Sequence, residues 1–462
     1  MQIPQINSSL PKTVIFALVL FISPSIFSQT VKYKIGNNNW DPNSLGNHRA
    51  VVQVTGTGKT AGITIPWRRQ DDPTDKQIIV VDAATNKRVV NTDTLSISPE
   101  KGTILFEAVS GPGRYYIYYM PYKINRKSNY PTAIYKNTSY TPTFFARKKH
   151  ADTKLLYLES IDALNSFYPM EITATKAETN QLIKSNSKKA YLVFPEDREH
   201  VIRMQTHLPQ RWVEQGLKNS FAGKALKGEN YSFQLGIYPV TQDLSNLTIQ
   251  FSDLKDAAGH HIPAADMSCL NTTGTRYDGS PFSQIVNVKK GNVQAMWCLI
   301  TIPENITPGV YKGTVKVTAD QSAPTTIPIT LQVENKMAVE HNISRPELQT
   351  RLTWLNSTLA QKNEVIKPYT PLQVTDQSIS LLGRKVILNE TGFPEQLQTF
   401  FTPAMTSLSN QPKNILAENI HFHITHTATH KDIAFEPQNF HFTLREPGTV
   451  KWESTNLSTP LC

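Results

Sequence analysis

Cysteine is nearly missing, with three in 462 residues. Three thiols build neither a disulfide scaffold nor a four-cysteine zinc site. Charge is also sparse, at 18% of residues against roughly 25% in an average soluble domain. The excess of 47 Lys+Arg over 37 Asp+Glu gives a formal +10. Its longest basic clusters, Arg147-Lys148-Lys149 and Lys188-Lys189, are short. A nucleic-acid binder gathers such charge into a stripe, so this excess reads as solvated surface and no nucleic-acid partner is expected. Past the N-terminus, no segment approaches the roughly 20 apolar residues that span a bilayer. One signature of hydrolysis is missing too: the chain contains no Gly-x-Ser-x-Gly nucleophile elbow.

What is present begins with an export signal. Lys12 is the only charge before an apolar run from Thr13 to Phe27. That run is short for a membrane span and suits the apolar core of a signal peptide, with cleavage expected after Ser28. The mature chain is therefore expected to be exported and to have no membrane association. Cys269 and Cys298 either pair in an oxidising compartment or remain buried free thiols, and Cys462 stands last.

The remainder reads as strands and turns. Short β-branched runs such as Ala50–Thr55, Gly62–Pro66, Gln77–Asp82 and Gly113–Tyr119 alternate with turn residues, as in all-β domains. The expected fold class is mainly β: tandem β-sandwich domains, Ig-like or jelly-roll-like, with a small α/β connecting segment and an incomplete C-terminal β region. The expected boundaries are a signal peptide at 1–28, a first sandwich at 29–125, and a linker with a mixed segment at 126–198. A second sandwich follows at 199–340, then the incomplete region at 341–462. Helices are expected over Phe144 to Ser166 and Lys176 to Lys184. Strands are expected at Tyr231–Tyr238, Val293–Ile300, Gly309–Val317, Ser378–Leu388, Phe440–Leu444 and Val450–Trp452.

Several motifs invite a chemical reading. Gly56-Thr-Gly-Lys-Thr60 ends like a phosphate-binding loop, but the pattern requires Gly at position 53, which is Gln. It reads as a polar hairpin tip. His421, His423, His426, His430 and His441 are the densest ionisable cluster. His421 and His423 would share one face of a strand, yet no carboxylate or Cys stands at ligand spacing, so no metal site is assigned. Five tyrosines between Tyr115 and Tyr122 would line both faces of one strand as core and surface. Glycosidic hydrolysis needs two acidic groups across a cleft, or one acid with a group orienting the substrate's acetamide. The adjacent pairs Asp71-Asp72 and Glu196-Asp197 both read as solvated loop charge. No catalytic, cofactor-binding or metal residue is assigned, and no cofactor is expected.

A family resemblance adds to this. Trp67-Arg-Arg-Gln-Asp71 with Gly113-Arg-Tyr-Tyr-Ile-Tyr-Tyr-Met-Pro-Tyr122 resembles the opening domain of glycoside hydrolase family 123-like proteins, large exported proteins common in Bacteroidetes. The likeness continues at Ser166-Phe-Tyr-Pro-Met-Glu171, Phe233-Gln-Leu-Gly-Ile-Tyr238 and Pro308-Gly-Val-Tyr-Lys-Gly-Thr-Val315. It runs on through Arg351-Leu-Thr-Trp-Leu-Asn-Ser-Thr358, Pro368-Tyr-Thr-Pro371, Leu382-Gly-Arg384 and Asn389-Glu-Thr-Gly-Phe-Pro394. The resemblance implies β-sandwiches ahead of a catalytic (β/α)-barrel, with substrate-assisted β-N-acetylgalactosaminidase chemistry on an adjacent Asp-Glu pair of that barrel. This chain has no such pair, so the family's catalytic residues have no positions here. The expectation is a truncated, non-catalytic N-terminal portion with a glycan as the partner class left open. Carbohydrate binding or adhesion, or a hydrolase with dispersed carboxylates, are the rival readings. The region after about residue 346 is expected to pack poorly.

Overall fold

A computed structural model describes residues 31–70, 77–119, 122–125, 129–130, 132–135 and 150–458. The signal-peptide segment, Asp71-Asp72 and Cys462 lie outside the described residues. The chain is mainly β and divides into two units, Met1–Ser187 with Arg203–Leu217, and Lys188–Ile202 with Lys218–Cys462. Among the described residues no helix is long and apolar enough to cross a membrane.

The first unit is a sandwich whose two sheets share a strand. His48–Thr55 alternates inward Ala50, Val52 and Val54 with outward residues, as a period of two requires. It pairs with Gly113–Tyr119 on one side and His150–Ser160 on the other. His150–Ser160 also runs parallel to Thr60–Ile65 of the second sheet through His150 and Ala151. A bulge between Leu155 and Tyr157 lies along it, the kind of irregularity that bends a strand. The helix expected over Phe144 to Ser166 is thus, in its described part, the strand His150–Ser160 followed by bends and turns over residues 161–165. Eight register partners along His48–Thr55 outweigh any local helical preference. The same strand removes residues 150–160 from the connecting segment and places them in the middle of the first sandwich. It also separates His48–Thr55 from Thr60–Ile65, so Gly56–Lys59 crosses between sheets and is not a hairpin tip.

Tyr115, Tyr118 and Tyr119 are buried and Tyr116 is half-buried, so both faces of that strand are covered where one was expected to be surface. The second expected helix forms as Lys176–Ser185, started by a capping box in which Thr175 and Glu178 satisfy each other's backbone N–H.

The second unit contains a dense sandwich. Tyr191–Glu196, Asn230–Pro239, Gln294–Thr301 and Met267–Cys269 make one sheet. Phe221–Lys227, Thr325–Met337, Gly309–Thr318, Leu244–Phe251 and Val286–Val288 form the larger one. Phe233, Leu235, Met296, Tyr311 and Leu331 meet between them. Tyr191–Glu196 is therefore a strand of this sandwich, ahead of the boundary expected at residue 199.

Beyond residue 372 a meander of five strands runs Gln373–Thr375, Ser378–Leu381, Arg384–Leu388, Pro394–Phe401 and Leu408–Asn414. The single strand expected over Ser378–Leu388 is two strands joined at Leu382-Gly383. Gly383 adopts φ +66°, a turn conformation that costs glycine little. A hairpin of Phe435–Glu446 and Thr449–Ser458 follows.

Candidate functional site

The acidic pair Glu196-Asp197 ends the strand Tyr191–Glu196 and opens a tight loop. Glu196 is only 1% exposed, which corrects its reading as solvated loop charge. The register places it opposite Gln234, itself buried. The Gln234 amide donates to the carbonyls of Asp197 (2.8 Å) and His200 (3.3 Å), and its oxygen accepts from the N–H of Ile202 (2.8 Å). One buried side chain thus satisfies three backbone groups that would otherwise cost desolvation energy.

Asp197 Oδ1 accepts from the N–H groups of Glu199 and His200 and lies 2.8 Å from His200 Nδ1. Burial raises the Asp197 pKa, but the hydrogen bonds and charge of His200 outweigh it and hold the carboxyl below its usual range. Next in sequence, Arg198 pairs with buried Glu229 at 2.5 Å and lies 4.5 Å over the Tyr231 ring. Burial pushes the Tyr231 phenol up to about 12.

His200, Asp197 and Glu196 present ligand atoms within 4.8 Å of one another, the one such trio among the described residues. The fit to a metal is poor, because Asp197 Oδ1 already serves three donors. A buried carboxylate beside a hydrogen-bonded one also reaches no glycosidic oxygen unless the loop opens. The arrangement pins a loop.

The histidine cluster disperses. His423 Nε2 lies 3.1 Å from Asp432 Oδ1, His426 pairs with Thr429 (2.8 Å), and His421 with the Asn419 carbonyl (3.1 Å). His441 sits in the final hairpin opposite Glu453.

Two cavities gather residues of the quoted sequence blocks. In the first unit a small cavity of about 80 Å³ is lined by His48, Trp67, Arg68, Arg69, Phe167 and Glu171. Arg68 grips Glu178 with two bonds of 2.7 and 2.8 Å. His48 contacts the Asn165 carbonyl at 2.7 Å, and burial, aided by the charge of Arg69, lowers its pKa to about 4.

In the second unit a larger cleft of about 440 Å³ is lined by Glu364, Ile366, Tyr369, Leu382, Arg384 and Phe401. Arg384 sits 5.4 Å over the Phe401 ring, and Tyr369 is 62% exposed. The turn Pro447-Gly448 closes one side, because Leu372 N–H donates to Pro447 and Gly448 N–H to Asn363. Sequence reasoning missed this cleft, although two of its quoted blocks, Pro368–Pro371 and Leu382–Arg384, supply its walls. Of the tryptophans, Trp67 and Trp212 are buried, Trp40, Trp297 and Trp452 half-buried, and Trp354 is 54% exposed.

Comparison with known proteins bears on the same segments. Residues 38–163 match the N-terminal domain of glycoside hydrolase 123, and residues 372–461 match its third domain. A further glycoside hydrolase 123 N-terminal domain matches residues 271–319. No curated protein matches the sequence.

Among solved structures, a family 123 glycoside hydrolase from Clostridium perfringens, described for glycolipid glycan hydrolysis, is 21% identical with a TM-score of 0.26. The match covers 32% of this chain and 28% of that enzyme. The fimbrial subunit MyfA of Yersinia enterocolitica is 11% identical over 26% of this chain and 94% of its own, at a TM-score of 0.18. The periplasmic chaperone SfaE is 11% identical over 51% and 95%, at 0.17. These TM-scores are low, and the sandwich assignment rests on the strand pairing above.

Proposed function

Because this chain is a glycoside hydrolase family 123-like protein, we propose that it is an exported, non-catalytic N-terminal portion serving glycan processing as a scaffold or accessory region. The observation that supports this reading is the engagement of the adjacent acidic pair that lies among the described residues. Glu196 is buried in a strand and Asp197 is consumed by loop hydrogen bonds, so neither is poised as acid or base across an open cleft. The test is release of chromophore from aryl N-acetylhexosaminides by the purified chain. No release is expected. Turnover abolished by a single carboxylate substitution would overturn the proposal.

A second reading is favoured by the 440 Å³ cleft. An exposed phenol ring, an arginine stacked on Phe401 and a carboxylate at Glu364 suit a sugar, which offers an apolar ring face and many hydroxyls. A glycan array carries this test. Binding that Tyr369→Ala and Arg384→Ala each weaken about tenfold would make the chain a carbohydrate-binding module, with roughly 1.4 kcal/mol lost per substitution. Binding unchanged by both would place the sugar elsewhere.

A further inference from the structure

Cys269 and Cys298 stand directly opposite one another across the antiparallel pair of Met267–Cys269 and Gln294–Thr301. Leu270 N–H donates to the Trp297 carbonyl at 2.9 Å. Residues 270 and 297 therefore stand at a hydrogen-bonding position of the ladder, where the Trp297 N–H turns instead to Asn271 Oδ1 (2.7 Å), and 269 and 298 fall at the alternate position without such bonds. Cα atoms at that position lie about 4.5 Å apart, inside the range of roughly 4.4–6.8 Å that disulfides occupy. Both side chains point into the same core and are at most 3% exposed.

We propose that Cys269 and Cys298 are a redox modification site that closes to a cross-strand disulfide without displacing either strand. The oxidant is a disulfide compound, either a small molecule or a thiol–disulfide oxidoreductase. Cys269 is the attacking sulfur, because it sits on the edge strand Met267–Cys269, whereas Cys298 lies on an interior strand of the same sheet. During folding, before the sandwich closes over the pair, the Cys269 thiolate attacks one oxidant sulfur and expels the other as a thiolate, leaving a mixed disulfide. Cys298 then loses its proton, attacks Cys269 Sγ and expels the second oxidant thiol. The protein gives up two electrons and two protons, and the oxidant disulfide is reduced to two thiols.

The bond has structural reach. Met267–Cys269 is a three-residue edge strand, and the chain leaving it forms the hairpin Thr273–Thr275 with Pro281–Ser283. The segment around residues 356–361 leans on that hairpin. Thr275 Oγ1 donates to the Asn356 carbonyl (3.2 Å) and Gln361 Nε2 to that of Tyr277 (2.5 Å). A disulfide at the root would steady the hairpin and the segment resting on it.

The test uses the full chain carrying Cys462→Ser, refolded with oxidised and reduced glutathione, so it depends on the strand register alone and not on export. Peptide mapping after alkylation should find one species joining Cys269 to Cys298. Amide exchange across residues 267–285 should slow in the oxidised protein, and its melting midpoint should rise by roughly 5–10 °C. Cys298→Ala, with Cys269→Ala as a second variant if the first fails to fold, should abolish the oxidant-dependent shift. Two freely alkylated thiols in protein that has refolded under oxidising conditions would overturn the proposal. So would an oxidised form that melts lower than the reduced one.

Discussion

Asn230–Pro239 and Pro394–Phe401 are both interior strands of antiparallel sheets. Nine of ten positions are buried in the first and none of eight in the second. The difference lies in what covers each face. Inward, Tyr231, Phe233, Leu235 and Ile237 meet the opposing sheet. Outward, Gln234 is capped by the 197–202 loop and Ser232 by the carbonyl of Leu348. Pro394–Phe401 has its ladder hydrogen bonds but no comparable cover, and Leu388 and Ile379 are the buried apolar residues of its sheet. Pairing and burial are separable: a meander satisfies its backbone locally, while stability follows the apolar area removed from water.

The sharpest way to break this comparison is a matched core truncation. Phe233→Ala should cost about 3–5 kcal/mol, because its cavity is enclosed on every side. Phe401→Ala should cost about 1–2 kcal/mol, since that residue is only half-buried. Denaturant unfolding followed by probes local to each sheet measures both, and equal costs would erase the distinction.

Next in size is the ion pair beneath the pinned loop. Glu229→Ala leaves the largely buried Arg198 unpaired and should destabilise the second sandwich by about 3 kcal/mol. The meander's transition should stay unmoved.

Acid response provides a third probe, because histidines crowd the C-terminal region while half-buried His48 lies in the first sandwich. An unfolded histidine takes up its proton near pH 6.5, whereas His48 waits until about 4. The unfolded state thus binds more protons between these values. Stability is complete above pH 6.5 and declines as pH falls toward 4, by about 2–3 kcal/mol. His48→Gln should flatten that decline in a pH series of melting curves.

The smallest effect belongs to the exposed pair of His423 and Asp432. His423→Ala should change stability by about 0–0.5 kcal/mol, and added salt should erase it. A larger loss would indicate that the cluster does more than decorate a surface.

Strands with β-branched alternation were legible in the sequence, and Gly113–Tyr119 and Gly309–Thr318 fall within a residue of their expected bounds. His150–Ser160 was not, because its identity comes from partners about a hundred residues away. The hairpin at Gly383 was hidden inside one apolar run, where only a glycine hinted at reversal. Glu196 looked solvated because a carboxylate beside Asp and Arg usually is, and its burial depends on Gln234 from another strand. The 440 Å³ cleft is assembled from four separated segments, so no single stretch announces it. The opposition of Cys269 and Cys298 is likewise a matter of register, which spacing alone does not set.

The strand shared by the two sheets of the first sandwich has a consequence for biosynthesis. Arg49 and its partner Glu159 are 110 residues apart, so the ribosome delivers the central strand of this domain after nearly all its neighbours. At roughly 5–20 residues per second, His48–Thr55 and Thr60–Ile65 spend about 5–20 seconds of translation with a vacant slot between them. A chain that begins to fold in that interval carries two unpaired edges, each a template for pairing with another chain.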